Sequence, residues 1–363
     1  MSEGRMAYDI LVLGASFGSL LGMKLVLAGH RVHVVGLPSE VSAIRESGLR
    51  VRMPVRGKDT LLELDSRSAA GTLSVSSPDG VQPSRYDMIS LVMQEPHYSL
   101  PGVRELVGRI AEARKPCMAV MNIPPPSFLR RIPGLDAEKV APCYTDFALW
   151  GAFDPALVTL CSADAQAFRP RQGEPNVLQV VLATNFKVAP FDSEDHTGIL
   201  RKLEADVDAV RFDPGGGEIE VPVKLRVRDS LFAPLAKWSM LLVGNYRCET
   251  DAGIRSIRDA VHDDIDLARR IYEWVNEVCR GLGANEDELV PFDRYAKAAE
   301  SLTEPASVAR ALFSGATQVE RADCLIRSIG LQLGKRLDEV DQVVATVDRL
   351  LEANRMRATV PRP

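Results

Sequence analysis

Up to Arg211 the chain alternates two kinds of apolar pattern. Residues 10–13, 31–35, 88–93, 117–121 and 177–183 are short apolar runs, and the unbroken ones suit strands buried on both faces of a parallel sheet. Residues 19–28, 103–113 and 197–210 instead place apolar side chains at helical intervals, the first closed by Gly29. Strands alternating with helices predict a doubly wound sheet. Beyond the Gly/Pro-rich stretch FDPGGGEIEVP, which ends at residue 222, only the helical period remains. Ile257, Val261, Ile265, Ala268, Tyr272, Val275 and Cys279 recur every three or four residues and predict one long helix with a buried face. Residues 307–333 and 338–354 show similar spacing. The fold class is therefore read as α/β, with a Rossmann-type parallel-sheet domain over 1–222 and an all-α domain over 223–363.

The first strand runs into Gly14-Ala15-Ser16-Phe17-Gly18-Ser19, then a helix and a second strand. Such a turn points backbone N–H groups and a helix N-terminus at an anion, the arrangement that binds a dinucleotide's pyrophosphate. The full pattern would be G-x-G-x-x-G. Here Gly14 can make the turn, and Ser16 stands where a second glycine normally lets the backbone approach the phosphate. Gly18 or Ser19 fills the small third position. Gly14, Ser16, Phe17, Gly18 and Ser19 are the candidate pyrophosphate contacts. The second strand ends Val35-Gly36-Leu37-Pro38-Ser39, without the acid that favours NAD or the arginine that favours NADP. Arg45, on the following helix, is placed to approach a 2′-phosphate, so NADP is read ahead of NAD.

The length of 363 residues fits two domains of roughly 100–200 residues each. A net charge of −5 with no long Lys/Arg run gives no reason to expect nucleic acid as a partner. Six cysteines without a C-x-x-C pair suit a reduced cytosolic protein with no zinc site. The apolar run after the polar N-terminal residues is interrupted by Gly14, Ser16, Gly18 and Ser19, so neither a signal peptide nor a membrane span is expected. A cytoplasmic protein follows from these readings. His262-Asp263-Asp264 reads as a solvated helix face, and His97 as an exposed loop histidine or an acid–base group beside a strand end. No Ser-His-Asp set, nucleophile elbow or P-loop is visible.

Taken in order, several segments resemble the ketopantoate reductases and the related opine dehydrogenases. GASFGSLLGMKLVLAGHRVHVV resembles the ketopantoate reductase opening, and YDMISLVMQEPHYS the strand and loop beside the nicotinamide. AVMNIPPPSFLRRIP resembles the strand end where that family places an asparagine, here Asn122. LFAPLAKWSMLLVGNYRCETDAG resembles the first long helix of the catalytic domain, and ASVARALFSGATQVERADCLIRSIGLQLG its C-terminal active-site helix. IRSIGLQLGKRLDEVDQVV looks closer to the opine metallophore dehydrogenases.

The resemblance implies an NAD(P)H-dependent oxidoreductase, a homodimer, that reduces a small carboxylate: a 2-oxo acid or an imine derived from one. Aligned on Trp238, the family's catalytic lysine falls at Met240. Lys237, almost one helical turn earlier, becomes the candidate proton donor. The helix asparagines of the family fall at Gly244 and Cys248, with Asn245 adjacent. Glu320 matches the glutamate that meets the substrate hydroxyl, given a one-residue shift. Gln94 replaces a lysine near the nicotinamide, where Asn122 also belongs. The opine histidine falls near Arg228, whose guanidinium suits a substrate carboxylate. The candidate catalytic set is thus Lys237, Asn245, Glu320 and Arg228, with no metal ligand. The competing reading is a Rossmann-type protein that has lost reductase activity and serves another ligand or reaction. Ser16, Gln94, Met240, Gly244 and Cys248 are the departures that favour it.

Overall fold

A computed structural model describes residues 7–57, 60–162, 166–170, 174–215, 217–250 and 253–359. The chain divides into two compact units. One holds everything through Met93 together with His97–Phe128 and Ala148–Asp229; the other holds Gln94–Pro96, Leu129–Phe147 and the chain from Ser230 onward.

The strands of the first unit are β1 (Asp9–Leu13), β2 (Arg31–Val35), β3 (Arg50–Met53), β4 (Leu62–Asp65), β5 (Thr72–Ser76), β6 (Met88–Leu91), β7 (Cys117–Val120), β8 (Val158–Ser162), β9 (Gln166–Phe168), β10 (Val177–Leu182), β11 (Phe186–Val188), β12 (Arg211–Phe212), β13 (Ile219–Glu220) and β14 (Leu225–Val227). Helices α1 (Gly18–Leu27), α2 (Pro38–Ser47), α3 (Val103–Ala113), the single turn α4 (Pro126–Leu129) and α5 (Glu194–Asp208) lie between them in the chain. The main sheet has the order β14-β11-β8-β7-β6-β1-β2-β5 and is parallel except where β8 meets β11. Its core, β5-β2-β1-β6-β7-β8, is the doubly wound order, in which the winding reverses between β1 and β6. Ligands of such sheets bind outside the carboxyl ends of the strands at that reversal. Ile10, Leu11 and Val12 of β1 are fully buried, as their unbroken apolar run predicts. Each such side chain contributes about 1.5–3 kcal/mol.

The late run at 177–183 joins a different sheet. As β10 it pairs in parallel with β3 and antiparallel with β9, in the order β4-β3-β10-β9. This second sheet carries the chain past β9 to Arg169. The first unit also extends past the 222/223 boundary read from the sequence, because β14 pairs with β11 and Arg228 N–H donates to Val188 O at 2.8 Å.

The second unit is helical, as expected, apart from a short hairpin. α6 (Trp238–Met240) continues as a π turn over Leu241–Asn245 and leads into β15 (Glu249–Thr250) and β16 (Gly253–Ile254). Then come α7 (Ile257–His262), α8 (Ile265–Leu282), α9 (Phe292–Ala299), α10 (Ser307–Phe313), α11 (Ala322–Gln332) and α12 (Asp338–Thr359). The one long helix expected over 257–279 is two. Asp264 leaves helical geometry and its carboxylate accepts the Leu267 N–H at 2.9 Å, capping α8. Ile265, placed in the stripe by its spacing, is the first residue of α8 and is 40% exposed. The stretch 307–333 is likewise broken, and Glu320 lies in the gap between α10 and α11. No described helix is long and apolar enough to cross a membrane.

Candidate functional site

In the first unit, Gly14 turns the chain at the end of β1 with φ of 108°, and its N–H donates to Val35 O at 2.9 Å. A Cβ here would stand 2.5 Å from Val92 O and 2.6 Å from Met93 Cγ. The turn is therefore pressed against the chain leaving β6, at the reversal of the sheet. Helix α1 starts as Ser19 N–H donates to Ser16 O and Leu20 N–H to Phe17 O, both at 3.1 Å. A Cβ at Gly18 would be 2.8 Å from Val12 Cγ1, so Gly18 holds the small third position. Ser19 is used differently: its hydroxyl donates to Ala15 O. Ser16 is exposed, and the Phe17 ring packs edge-on to Phe186. Asn122 follows β7 at the same carboxyl edge of the sheet.

Two residues not singled out in the sequence close on this turn. Glu40, in the first turn of α2, is buried. One carboxylate oxygen accepts Leu37 N–H at 2.8 Å, and the other accepts Arg169 Nη2 at 2.7 Å. Arg169 Nη2 also donates to Ala15 O at 2.9 Å. The guanidinium thus lies between the end of β2 and the glycine turn. Its Nε and Nη1 are buried and meet no partner among the described residues. Burial pulls the Arg169 pKa below its ordinary value, while the Glu40 carboxylate opposes that shift. Glu40 follows directly after residues 36–39, the stretch beyond β2, which itself carries no acid. Arg169 arrives from the second sheet, and no local pattern marks it. Arg45 is exposed and donates to Val75 O at 3.2 Å.

The second unit gathers carboxylates around Glu320, which is 5% exposed. Its Oε1 accepts the Glu95 N–H at 3.2 Å, and its carbonyl accepts the Tyr246 hydroxyl. Tyr246 Oη also accepts the Ala322 N–H at 3.1 Å, which fixes Glu320 at the start of α11. Glu95 is 2% exposed, and its carboxylate accepts the Thr145 N–H at 3.0 Å. Burial raises the Glu95 pKa, and the Thr145 hydrogen bonds partly offset this. Burial likewise holds the Tyr144 hydroxyl well above the usual range, helped by Cys143, Glu95 and Glu320. The Cys143 and Cys324 sulfurs are 2.9 Å apart; the hydrogen bond between them raises the pKa of Cys143 and lowers that of Cys324. The sequence reading picked out Glu320 but passed over Glu95 between Gln94 and His97, both of which are exposed.

No family model matches the chain, and no curated protein matches it in sequence. Solved structures do match. A PanE/ApbA family ketopantoate reductase from Ralstonia eutropha JMP134 is 15% identical, with a TM-score of 0.65 over 96% of this chain and 99% of that one. A D-mandelate dehydrogenase solved with NADH and anilino(oxo)acetate is 14% identical, with a TM-score of 0.64 over 96% and 99%. A dimeric ketopantoate reductase from Staphylococcus aureus is 11% identical, with a TM-score of 0.60 over 95% and 99%. The chain has the ketopantoate reductase fold.

The second unit also shows the surroundings of the residues that the sequence resemblance singled out. A side chain at Gly244 would overlap the hydroxyl of the buried Tyr295. The Tyr295 hydroxyl donates to Met240 O at 3.3 Å. Cys248 is fully buried and directs its thiol to Gly244 O at 2.9 Å. Asn245 ends the π turn, half-buried, and makes no side-chain hydrogen bond to a described residue. π turns recur at functional positions in helices. Lys237 is half-buried at the end of the Ala233–Lys237 turn. Arg228 is exposed, with no described residue paired to its guanidinium. Its neighbour Arg226 is tied to Asp208 at 2.6 Å.

Glu249, in β15, is a further acid of this unit that no local sequence pattern marks. It is 8% exposed, and neither carboxylate oxygen has a hydrogen-bond partner in another described residue; its own backbone N–H only partly offsets the effect of burial. Burial raises its pKa from 4.5 to about 7. A carboxyl with a raised folded pKa adds stability below its ordinary pKa and loses it as pH rises through the folded value. Glu249 should therefore weaken the fold by about 3 kcal/mol between roughly pH 4.5 and 7. Glu249→Gln stays neutral throughout. Its denaturation midpoint should exceed that of the wild type in mildly alkaline buffer and converge with it in acid. Parallel curves would show that the native carboxyl is solvated.

Proposed function

We propose that the protein is an NAD(P)H-dependent oxidoreductase of the ketopantoate reductase type, reducing a 2-oxo acid or an imine derived from one. The glycine turn carries the reading. Gly14 occupies a cradle that any Cβ would fill, at the reversal point of the sheet and at the opening of α1. A fold neighbour is solved with NADH and with anilino(oxo)acetate, itself a 2-oxo acid derivative. Gly14, Ser16, Phe17 and Gly18 would hold the pyrophosphate, with Ser19 instead bracing the turn through Ala15 O, and Asn122 would face the nicotinamide end. When bound, the cofactor supplies the hydride. The chain supplies orientation and a proton: Lys237 as donor, Glu320 as acceptor of the substrate hydroxyl, and Arg228 as partner of its carboxylate. A homodimer fits the dimeric neighbour from Staphylococcus aureus. The free cysteines, five of them buried, suit a reducing compartment such as the cytoplasm.

A second reading rests on Tyr295, which fills the space at Gly244 where the family's asparagine would stand. On that reading the fold persists without reductase chemistry. Fluorescence titration with NADPH and NADH separates the two. Micromolar affinity for either cofactor, followed by its oxidation with a 2-oxo acid in the presence or absence of an amine, is the expected result. Absence of binding to both cofactors would overturn the reductase reading.

A further inference from the structure

The glycine turn departs from the full pattern at Ser16, whose side chain keeps a phosphate from approaching the backbone as closely as a glycine allows. Something else must then supply donors to the pyrophosphate, and the structure shows a guanidinium beside the turn. Arg169 is locked on one side. Its Nη2 donates to Glu40 at 2.7 Å and to Ala15 O at 2.9 Å. Both of those acceptors belong to the nucleotide side of the sheet: Ala15 to the turn itself, Glu40 to the helix that follows β2. Nε and Nη1 are left buried without a partner among the described residues. Buried N–H donors are satisfied in most native structures, and each one left unmade is costly. A guanidinium held in place with donors to spare beside an anion-binding turn is prepared for an anion.

We infer that Arg169 is a pyrophosphate-binding residue of the dinucleotide site, fixed by Glu40 and compensating for Ser16 in the glycine turn. This rests on the proposed cofactor reading and deepens it. Glu40 acts as a positioning residue: its carboxylate fixes Nη2, which leaves Nη1 or Nε as the donor to a phosphate. The assignment also accounts for the missing base at the end of β2. Positive charge reaches the site from β9 rather than from the residues after Val35, so both NADH and NADPH can use it.

Calorimetric titration of the full chain tests this, with NADH, NADPH, ADP, inorganic pyrophosphate and adenosine as probes. Arg169→Ala, and Arg169→Gln as a variant that keeps a donor for Ala15 O, are compared with the wild type after thermal denaturation shows both to be folded. Loss of a charge-assisted contact should weaken NADH, NADPH and ADP alike by about tenfold or more, leaving adenosine unaffected. Unchanged affinity for NADH and ADP in either folded variant would overturn the assignment. A loss confined to NADPH would overturn it too, since it would put Arg169 on the 2′-phosphate. If the wild type binds ADP and pyrophosphate through Arg169 but neither nicotinamide cofactor, the anion site stands and the reductase reading falls. If it binds none of the probes, both fall.

Discussion

Gly14→Ala is expected to cost roughly 2–5 kcal/mol of stability and to abolish dinucleotide binding by the protein that remains folded. Two separate penalties add. The backbone there has φ of 108°, a conformation that an L side chain adopts only under strain. The new Cβ would also stand 2.5 Å from Val92 O, a backbone atom that cannot swing aside. Relief requires the turn to lift away from the chain after β6, which moves the N–H groups that would face the pyrophosphate. Gly29 provides the control. Its φ of 93° imposes similar backbone strain, but a Cβ there meets nothing within 4 Å. Gly29→Ala should therefore cost about 1 kcal/mol and leave NADPH affinity intact. Chemical denaturation and cofactor titration of the two variants make the comparison. Equal losses in both would mean that the close approach to Val92 plays no part.

The sequence disclosed what depends on local pattern. β1, β6 and β7 are short, nearly unbroken apolar runs, as strands buried on both faces are commonly written. The glycine turn was legible because Gly14 and Gly18 meet requirements of backbone geometry and helix packing that few residues satisfy. Glu320 was found only through the resemblance, since nothing local distinguishes it from other acids between helices. What escaped was brought together from distant parts of the chain. Arg169 reaches Ala15 across 154 positions, and the Glu95 N–H reaches Glu320 across 225. Periodicity carries no information about such pairs. The break between α7 and α8 escaped for a different reason. Ile257 through Cys279 keep helical spacing across it, and Asp264 acts as a cap only because its own backbone leaves the helix. The same acids that suggested a solvated face were the stop signal.

Lys237→Ala should lower kcat by about 10²–10⁴, the usual contribution of a positioned proton donor, while KM changes little. The argument is positional. The resemblance places the family's lysine at Met240, and residues three apart share a helical face. Lys237 closes the Ala233–Lys237 turn immediately before Trp238–Met240, and both Lys237 and Met240 are half-buried. An ammonium at Lys237 is therefore expected to serve the volume that a lysine at Met240 would serve. That equivalence can be tested directly: adding Met240→Lys to Lys237→Ala should recover much of the lost kcat, and a small primary amine in solution should recover part of it. A purely structural lysine would predict a fall in denaturation midpoint that neither the second substitution nor the amine repairs. If kcat is unchanged in Lys237→Ala, the proton comes from elsewhere. Tyr295 in the space beside Gly244 would then mark a helix rebuilt for packing rather than proton transfer, because the hydroxyl that a side chain at Gly244 would overlap bonds to the carbonyl of Met240.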